Sequence, residues 1–241
     1  MTVLSGSELK SEARRIITSQ APRIFIITAV FKLITTVLTE LQSRLAGTEA
    51  FYIQLEEQLR TGGMPTLEML TSNVRISGIL LAYLVMLFIP VIETGYASYC
   101  LKLSRDVEAE PKSLLDGFLF FVKIIAIHVI SMLIASIGMI LFVFPGVMAV
   151  YAYRQAYYIM LDDPEKGIIS CLRESRRLMR GNKVDLFLID ISFLGWFIVD
   201  LIVVLYLPLP FMFPIIQIWL APYAGLTYAQ YYNRLIGRLA V

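Results

Sequence analysis

The chain has 241 residues, of which 58% are hydrophobic and 17% charged, and its mean hydropathy is +0.72. A soluble domain of this size contains about 45–50% apolar and about 25% charged residues, and the apolar residues here stand in long runs, so the composition argues against a soluble domain. The formal net charge is +2, and a single histidine with two separated cysteines cannot build a zinc centre or a disulfide framework.

Six apolar stretches approach the roughly 20 residues that a membrane-spanning helix needs. They lie at about 24–41, 77–101, 117–144, 147–162, 186–207 and 211–232. Pro145-Gly146 separates the third from the fourth, and Pro208–Pro214 separates the last two, because proline lacks a donor N–H and glycine permits a reversal. The predicted fold class is therefore an all-α polytopic membrane bundle. It is a single domain, residues 1–241, of six transmembrane helices arranged as three hairpins with short amphipathic interfacial helices.

Lysine and arginine are distributed unevenly between the predicted loops. The outer segments contain Arg44, Arg60 and Arg75, whereas most of the remaining lysines and arginines fall on the other side. The positive-inside rule then places both termini in the cytoplasm of a multi-pass protein of the cytoplasmic (inner) membrane. The outer segment, about 42–76, is expected to carry a short amphipathic helix over Ala50–Arg60 that rests on the membrane surface.

A short pattern recurs along the chain. Glu12-Ala13-Arg14-Arg15 is echoed by Glu174-Ser175-Arg176-Arg177, and an apolar helix start follows each at the same distance, at Ile24 and Leu186. A looser third copy, Pro111–Asp116, leads into the third span. The pattern predicts three units, each an interfacial segment followed by a hairpin whose tip points outward. Such repeats occur in transporters and also in proteins that only assemble or anchor.

Residues 165–183 predict a basic cytoplasmic helix at the membrane surface. Its apolar face contains Ile168, Ile169 and Leu172, with Leu178 and Met179 further along. The candidate contacts to lipid headgroups or to a partner occupy the remainder: Arg173, Arg176, Arg177, Arg180 and Lys183. Such a helix lies among headgroups, where it controls topology, binds anionic lipids of the cytoplasmic leaflet or docks a partner.

Charged residues at membrane depth are costly and need a partner or a wet cavity. Five such residues form the predicted buried polar cluster: Glu93, Lys123, Arg154, Asp190 and the single histidine, His128. Two acids and two bases at similar depth predict either an ion-pair network that locks the bundle or a polar pocket for an ion or a headgroup. The histidine serves as an interhelical hydrogen-bonding group or a proton relay.

The sequence lacks the motifs of several enzyme classes: no G-x-x-x-x-G-K-[ST], no H-E-x-x-H and no G-x-S-x-G occurs. We therefore expect no catalytic residues, no cofactor, no metal site and no nucleic-acid partner.

The C-terminal half carries several motifs of a known family. They are Phe144-Pro145-Gly146, Asp162-Asp163-Pro164, Glu174-Ser175, Leu178-Met179-Arg180-Gly181-Asn182-Lys183, Phe187-Leu188-Ile189-Asp190, Ser192-Phe193-Leu194-Gly195-Trp196, Pro222-Tyr223 and Tyr231-Tyr232. Over about 144–232 the chain resembles the bacterial integral membrane family called domain of unknown function 975, seen mainly in Gram-positive bacteria. Before that it shares the layout alone. The resemblance implies six spans in a cell membrane and supplies no reaction.

The leading functional hypothesis is a non-enzymatic assembly partner or lipid-interacting scaffold, which could act with a protein partner or as a homo-oligomer. The alternatives are a small transporter or channel with a polar site in the cytoplasmic half of the bundle, and a membrane-embedded enzyme.

Overall fold

The computed structural model describes residues 6–48, 53–54, 57–58, 60–61, 76–206 and 215–237. Within these ranges the chain is helical and contains no strand, which confirms the all-α class. The helices whose bounds the structure gives are α1 (Gly6–Gln20), α2 (Arg23–Ala46), α3 (Ile76–Met86), α4 (Ile89–Leu103), α5 (Asp116–Leu119), α6 (Phe121–Leu141), α7 (Val143–Tyr153), α8 (Ala156–Asp162), α9 (Ile168–Leu178), α10 (Lys183–Tyr206) and α11 (Ile215–Leu235). A 3₁₀ turn (Pro111–Leu115) precedes α5.

Three helical segments in the described part of the chain are long and apolar enough to cross a membrane. They are Arg23–Ala46, Ser77–Leu103 and Phe121–Leu141, with mean hydropathies of 1.9, 2.0 and 2.5. They coincide with the first three predicted spans. The fourth predicted span is divided into α7 and α8 at Arg154-Gln155, and α10 and α11 cover much of the last two. Six spans therefore stay a prediction.

The reversal between α6 and α7 lies at Phe142, three residues before the predicted turn at Pro145-Gly146. Phe142 is extended, with φ −159° and ψ 145°, and α7 begins at the next residue. Proline is tolerated in a first helical turn because its missing N–H has no partner there. Gly146 instead permits close approach, since a Cβ there would lie 2.6 Å from the backbone nitrogen of Met139.

Contacts divide the chain into two units, 1–32 with 91–241 and 33–90. In the smaller unit the described residues belong mainly to the end of α2 and to α3, and many of their apolar side chains are exposed, such as Leu33, Leu80 and Leu84. Arg44 pairs with Glu40 at 2.7 Å. The predicted helix over 50–60 lies largely outside the described residues, and so does the predicted break at 208–214.

The core of the larger unit is built on α4, α8 and α11. Their fully buried side chains include Tyr99, Ile159 and Tyr231. A Cβ on Gly225 would lie 2.8 Å from the Cys100 sulfur, which shows how closely α11 approaches α4. By contrast, α6 and α10 expose long apolar surfaces of the kind that lipid or a partner covers.

Three short elements pack against these inner helices. Helix α1 contacts α11, and its Arg14 donates to the Tyr223 hydroxyl at 3.1 Å. The 3₁₀ turn and α5 contact α4, where Lys102 pairs with Asp116 at 2.6 Å. Helix α9 contacts α6, α7 and α8. Each short element thus lies on an inner helix that belongs to another predicted unit.

We expect alanine at Gly95 or Gly117 to destabilise the fold, because both glycines lie at the contact between α4 and the α5 region. A Cβ on Gly95 would lie 2.0 Å from the Leu114 carbonyl oxygen, and one on Gly117 would lie 2.0 Å from that of Val91. Overpacking of this kind costs about 1–3 kcal/mol. Thermal unfolding of the purified protein in detergent measures the loss.

Gly195→Ala is the matched control, because no atom lies within 4 Å of a Cβ at this exposed helical glycine. Alanine there is expected to leave the melting temperature unchanged or to raise it, since alanine favours a helix interior over glycine by about 1 kcal/mol. Equal losses in all three variants would contradict the packing argument.

Candidate functional site

Arg154 and Asp190 form an ion pair between the end of α7 and the middle of α10. The guanidinium Nη1 lies 2.5 Å from Oδ2 of the carboxylate. Two hydroxyls also donate to Asp190: Tyr151 to Oδ2 at 2.8 Å and Tyr228 to Oδ1 at 2.7 Å. Both carboxylate oxygens are therefore occupied, and three chain segments meet at one residue.

The ring of Tyr228 supports the same pair from α11. The Arg154 guanidinium carbon lies 4.3 Å from the ring centroid, within the range of a cation–π contact. The Arg154 and Asp190 side chains are 32% and 24% exposed, so the pair is largely removed from solvent. Such an ion pair holds α7 and α10 together, because removing either partner would leave an uncompensated charge in a largely buried position.

Glu93 lies apart from this pair although its charge interacts with Arg154. The side chain is exposed, and among the described residues it has no hydrogen bond or ion pair. The positive charges of Lys32 and Arg154 both act on its carboxylate. Glu93 is thus a neighbour of the Arg154–Asp190 pair and not a partner in it.

The structure places Lys123 and His128 elsewhere. Lys123 donates from the first turn of α6 to the carbonyl oxygens of Pro164 and Lys166, in the loop before α9. His128 Nδ1 lies 3.2 Å from the Tyr157 hydroxyl, and its buried Nε2 has no partner among the described residues. The structure therefore brings two of the five predicted cluster residues into contact.

A second buried ion pair, which sequence reasoning did not identify, joins the ends of the inner helices. Arg105 contacts both carboxylate oxygens of Asp162, at 2.5 and 3.0 Å, and donates to Asn233 Oδ1 at 2.8 Å. The Tyr232 hydroxyl also donates to Asp162, at 2.8 Å. The sequence contained a signal for this pair, because Asp162 and Tyr232 both lie in the family motifs.

The basic helix is shorter than predicted. Helix α9 covers Ile168–Leu178, and the chain turns at Gly181, whose φ is +87°, before α10 begins at Lys183. One face is buried against the bundle and contains Cys171, Ser175 and Met179. Ser175 donates to the Ala152 carbonyl oxygen at 2.8 Å, which attaches α9 to α7.

The opposite face carries four exposed arginines, here called the arginine quartet: Arg173, Arg176, Arg177 and Arg180. At about 100° per residue the first three fall within an arc of about 100° on α9, and Arg180 follows in the turn. Within the described ranges, none of the four has a hydrogen bond or an ion pair. Ile169, 57% exposed, lies on the same face, whereas Lys183 is half-buried.

Neighbouring charges are used to position α9. Lys166 pairs with Glu174 at 2.8 Å, and this hydrogen bond raises the pKa of Lys166. Lys123 fixes the preceding loop through its two carbonyl contacts. The acid nearest the arginine quartet is therefore neutralised by a lysine, and the positive charge of the quartet stays uncompensated. Among the described residues no group of three His, Cys, Asp or Glu side chains could hold a metal ion.

These features define an all-helical protein with helices apolar enough to span a membrane. Residues 126–238 match the model of a family described as "Protein of unknown function (DUF975)". This match over the C-terminal part of the chain confirms the resemblance of its motifs to that family. No curated protein and no solved structure matches the chain.

We expect Asp162→Asn to lower the free energy of unfolding by about 3 kcal/mol, because it leaves the Arg105 guanidinium without a carboxylate in a largely buried position. The Arg105 and Asp162 side chains are 21% and 13% exposed. Unfolding of the detergent-solubilised protein in denaturant measures the change. Glu110→Gln is the control, since Glu110 and Lys112 are 48% and 77% exposed and such surface pairs contribute less than about 1 kcal/mol. Equal losses in both variants would contradict a buried clamp.

Proposed function

We propose that the protein is a six-span protein of the cytoplasmic membrane, with three outward-pointing hairpins and both termini in the cytoplasm. Three apolar segments of sufficient length support the spans. The recurrent packing of α1, of the α5 region and of α9 on inner helices supports the three-unit repeat. The excess of lysine and arginine on one side supports the orientation.

Within that membrane the protein acts as a non-enzymatic, lipid-interacting scaffold. The observation that carries this function is the arginine quartet, four exposed cations on one face without partners among the described residues. Other described arginines, such as Arg105 and Arg154, pair with carboxylates of the chain. Uncompensated guanidinium groups bind phosphate groups well, because their donors match phosphate oxygens in pairs.

The exposure of Ile169 supports a location of this face among lipid headgroups. It exposes an apolar side chain between the arginines, as expected for a helix at the boundary between headgroups and acyl chains. Each basic residue near an anionic surface contributes about 1 kcal/mol, so the quartet is sufficient for a preference but not for irreversible attachment. A scaffold that organises anionic lipid needs this reversibility.

The Arg154–Asp190 pair favours a scaffold over a transporter that uses this site. A transported ion would need a carboxylate oxygen that is free to bind it, and both oxygens of Asp190 accept hydrogen bonds from the chain. Docking of an acidic protein partner on the quartet is the competing use, and the following experiment separates the two.

We expect the fourfold change of the arginine quartet to glutamine to reduce retention of anionic lipid. The variant and the natural protein are each purified in mild detergent from mixed phosphatidylglycerol and phosphatidylethanolamine bilayers, and the bound lipids are quantified by mass spectrometry. Loss of about 1 kcal/mol for each charge predicts a clear fall in the bound phosphatidylglycerol fraction. The fall should shrink as salt screens the charges.

The matched control changes the same four arginines to lysine, which keeps the charge and removes the paired donors. We expect this variant to retain most of the phosphatidylglycerol. An unchanged lipid fraction in the glutamine variant would overturn the lipid function. If the same variant instead lost a co-purifying acidic protein, the assembly function would replace it.

A further inference from the structure

Lys10 and Arg14 of α1 lie over aromatic rings of the bundle. They are four residues apart and therefore share one face of the helix. Lys10 Nζ lies 4.3 Å from the ring centroid of Phe193 in α10, and the Arg14 guanidinium carbon lies 5.4 Å from that of Tyr223 in α11. The two rings make an edge-to-face contact, with their centroids 5.3 Å apart. Neighbouring rings thus hold two neighbouring cations, and we call this place the Lys10–Arg14 site.

Neither cation has an acidic partner in the described part of the chain. Lys10 donates to the Ser192 carbonyl oxygen at 3.4 Å. Arg14 donates to the Tyr223 hydroxyl through Nε and Nη2, at 3.2 and 3.1 Å, which leaves Nη1 for an external acceptor. Burial lowers the pKa of Lys10, and the positive charge of Arg14 lowers it further. The site therefore holds two positive charges that the chain does not neutralise.

The acids of α1 lie on the opposite side of the helix. Glu12 is two residues from each of the two cations, which is about 160° around the helix axis. The carboxylates of Glu8 and Glu12 lie 3.0 and 4.0 Å from the Arg234 guanidinium. The buried face of α1 separates them from the site. An anion at the site would therefore meet two cations without an adjacent carboxylate.

An exposed aromatic surface continues from the site along α10 and α11. The ring centroid of Trp219 lies 5.8 Å from that of Tyr223, and that of Trp196 lies 4.9 Å from that of Trp219. The two tryptophans are 44% and 41% exposed. Tryptophan is enriched at the level of lipid headgroups because its ring is amphipathic. Two cations beside an exposed apolar surface match the two parts of a phospholipid, its phosphate group and its acyl chains.

We propose that the Lys10–Arg14 site binds one anionic phospholipid, with its phosphate group at the two cations and its acyl chains along Trp219 and Trp196. The phosphate oxygens accept from the ammonium and the guanidinium together and relieve the repulsion between them. A zwitterionic headgroup fits less well, because both cations repel its ammonium group. The proposal rests on the membrane location proposed above, and it does not depend on lipid binding by the arginine quartet.

Lipid titration of the full-length protein in mild detergent, followed by native mass spectrometry, tests the proposal. The probes are phosphatidylglycerol, phosphatidylethanolamine and the soluble glycerol phosphate. We expect Lys10→Gln to weaken the binding of one phosphatidylglycerol about tenfold, because it removes a charge-assisted hydrogen bond, and the added change Arg14→Gln to weaken it further. The titration is repeated with the arginine quartet changed to glutamine, so that the Lys10–Arg14 site is measured without it.

Arg15→Gln is the matched control, because it removes the same charge from the same helix outside the site. Arg15 is exposed, lies about 100° around the helix from Arg14 and has no partner among the described residues. We expect this variant to bind phosphatidylglycerol nearly as the natural protein does. Lys10→Arg, which keeps the charge, should retain most of the binding. Lys10→Gln alone leaves the contact between Arg14 and Tyr223 in place, so it remains the test if the double variant fails to fold.

A loss in Lys10→Gln that Arg15→Gln does not share supports the site. Equal losses in these two variants would indicate a diffuse surface charge and overturn the proposal. It is also overturned if Lys10→Gln binds phosphatidylglycerol as the natural protein does, or if glycerol phosphate binds as tightly as the lipid. If the glutamine variant of the arginine quartet keeps its lipid while Lys10→Gln loses it, the function proposed for the quartet fails and this site stands.

Discussion

The ion pair between Arg154 and Asp190 determines much of the arrangement of the larger unit. It closes the stretch of chain that contains α8 and α9, and through Tyr151 and Tyr228 it also draws in α7 and α11. Two opposite charges among apolar helices have few alternatives, because either one alone would be uncompensated. The orientation of the arginine quartet depends on other contacts, because Ser175 attaches α9 to the Ala152 carbonyl oxygen and Lys123 fixes the preceding loop.

The need of a buried charge for an opposite charge separates two groups of arginines. Arg105 and Arg154, toward the inside, have carboxylate partners and connect helices, whereas the arginine quartet has none among the described residues. A cation that the chain leaves unpaired on an amphipathic helix is available to a phosphate from outside the chain. The proposed function of the arginine quartet rests on this difference in pairing.

Sequence periodicity predicted the apolar helices well, because burial in lipid or protein produces long hydrophobic runs. It also selected the interior charges, since a charge within such a run is conspicuous. It could not predict the pairs, because helix rotation and breaks such as Arg154-Gln155 determine which side chains meet. Lys123 was placed with Asp190 on depth alone, yet its flexible side chain bonds the loop before α9. Arg105 was counted from the sequence only as one of the basic residues that set the orientation. Its specific partner, Asp162, lies at the end of another helix and could not be recognised from the sequence.

We expect Arg154 and Asp190 to be energetically coupled and to stabilise the fold. A double-mutant cycle with Arg154→Met and Asp190→Leu, followed by denaturant unfolding in detergent, tests this most directly. We expect each single change to cost about 3 kcal/mol and the double change to cost less than the sum by at least about 1 kcal/mol, because the double variant leaves no uncompensated charge. The double variant should also keep its preference for anionic lipid. Additive costs within about 0.5 kcal/mol, or loss of that preference in a folded double variant, would contradict a purely structural role for this ion pair.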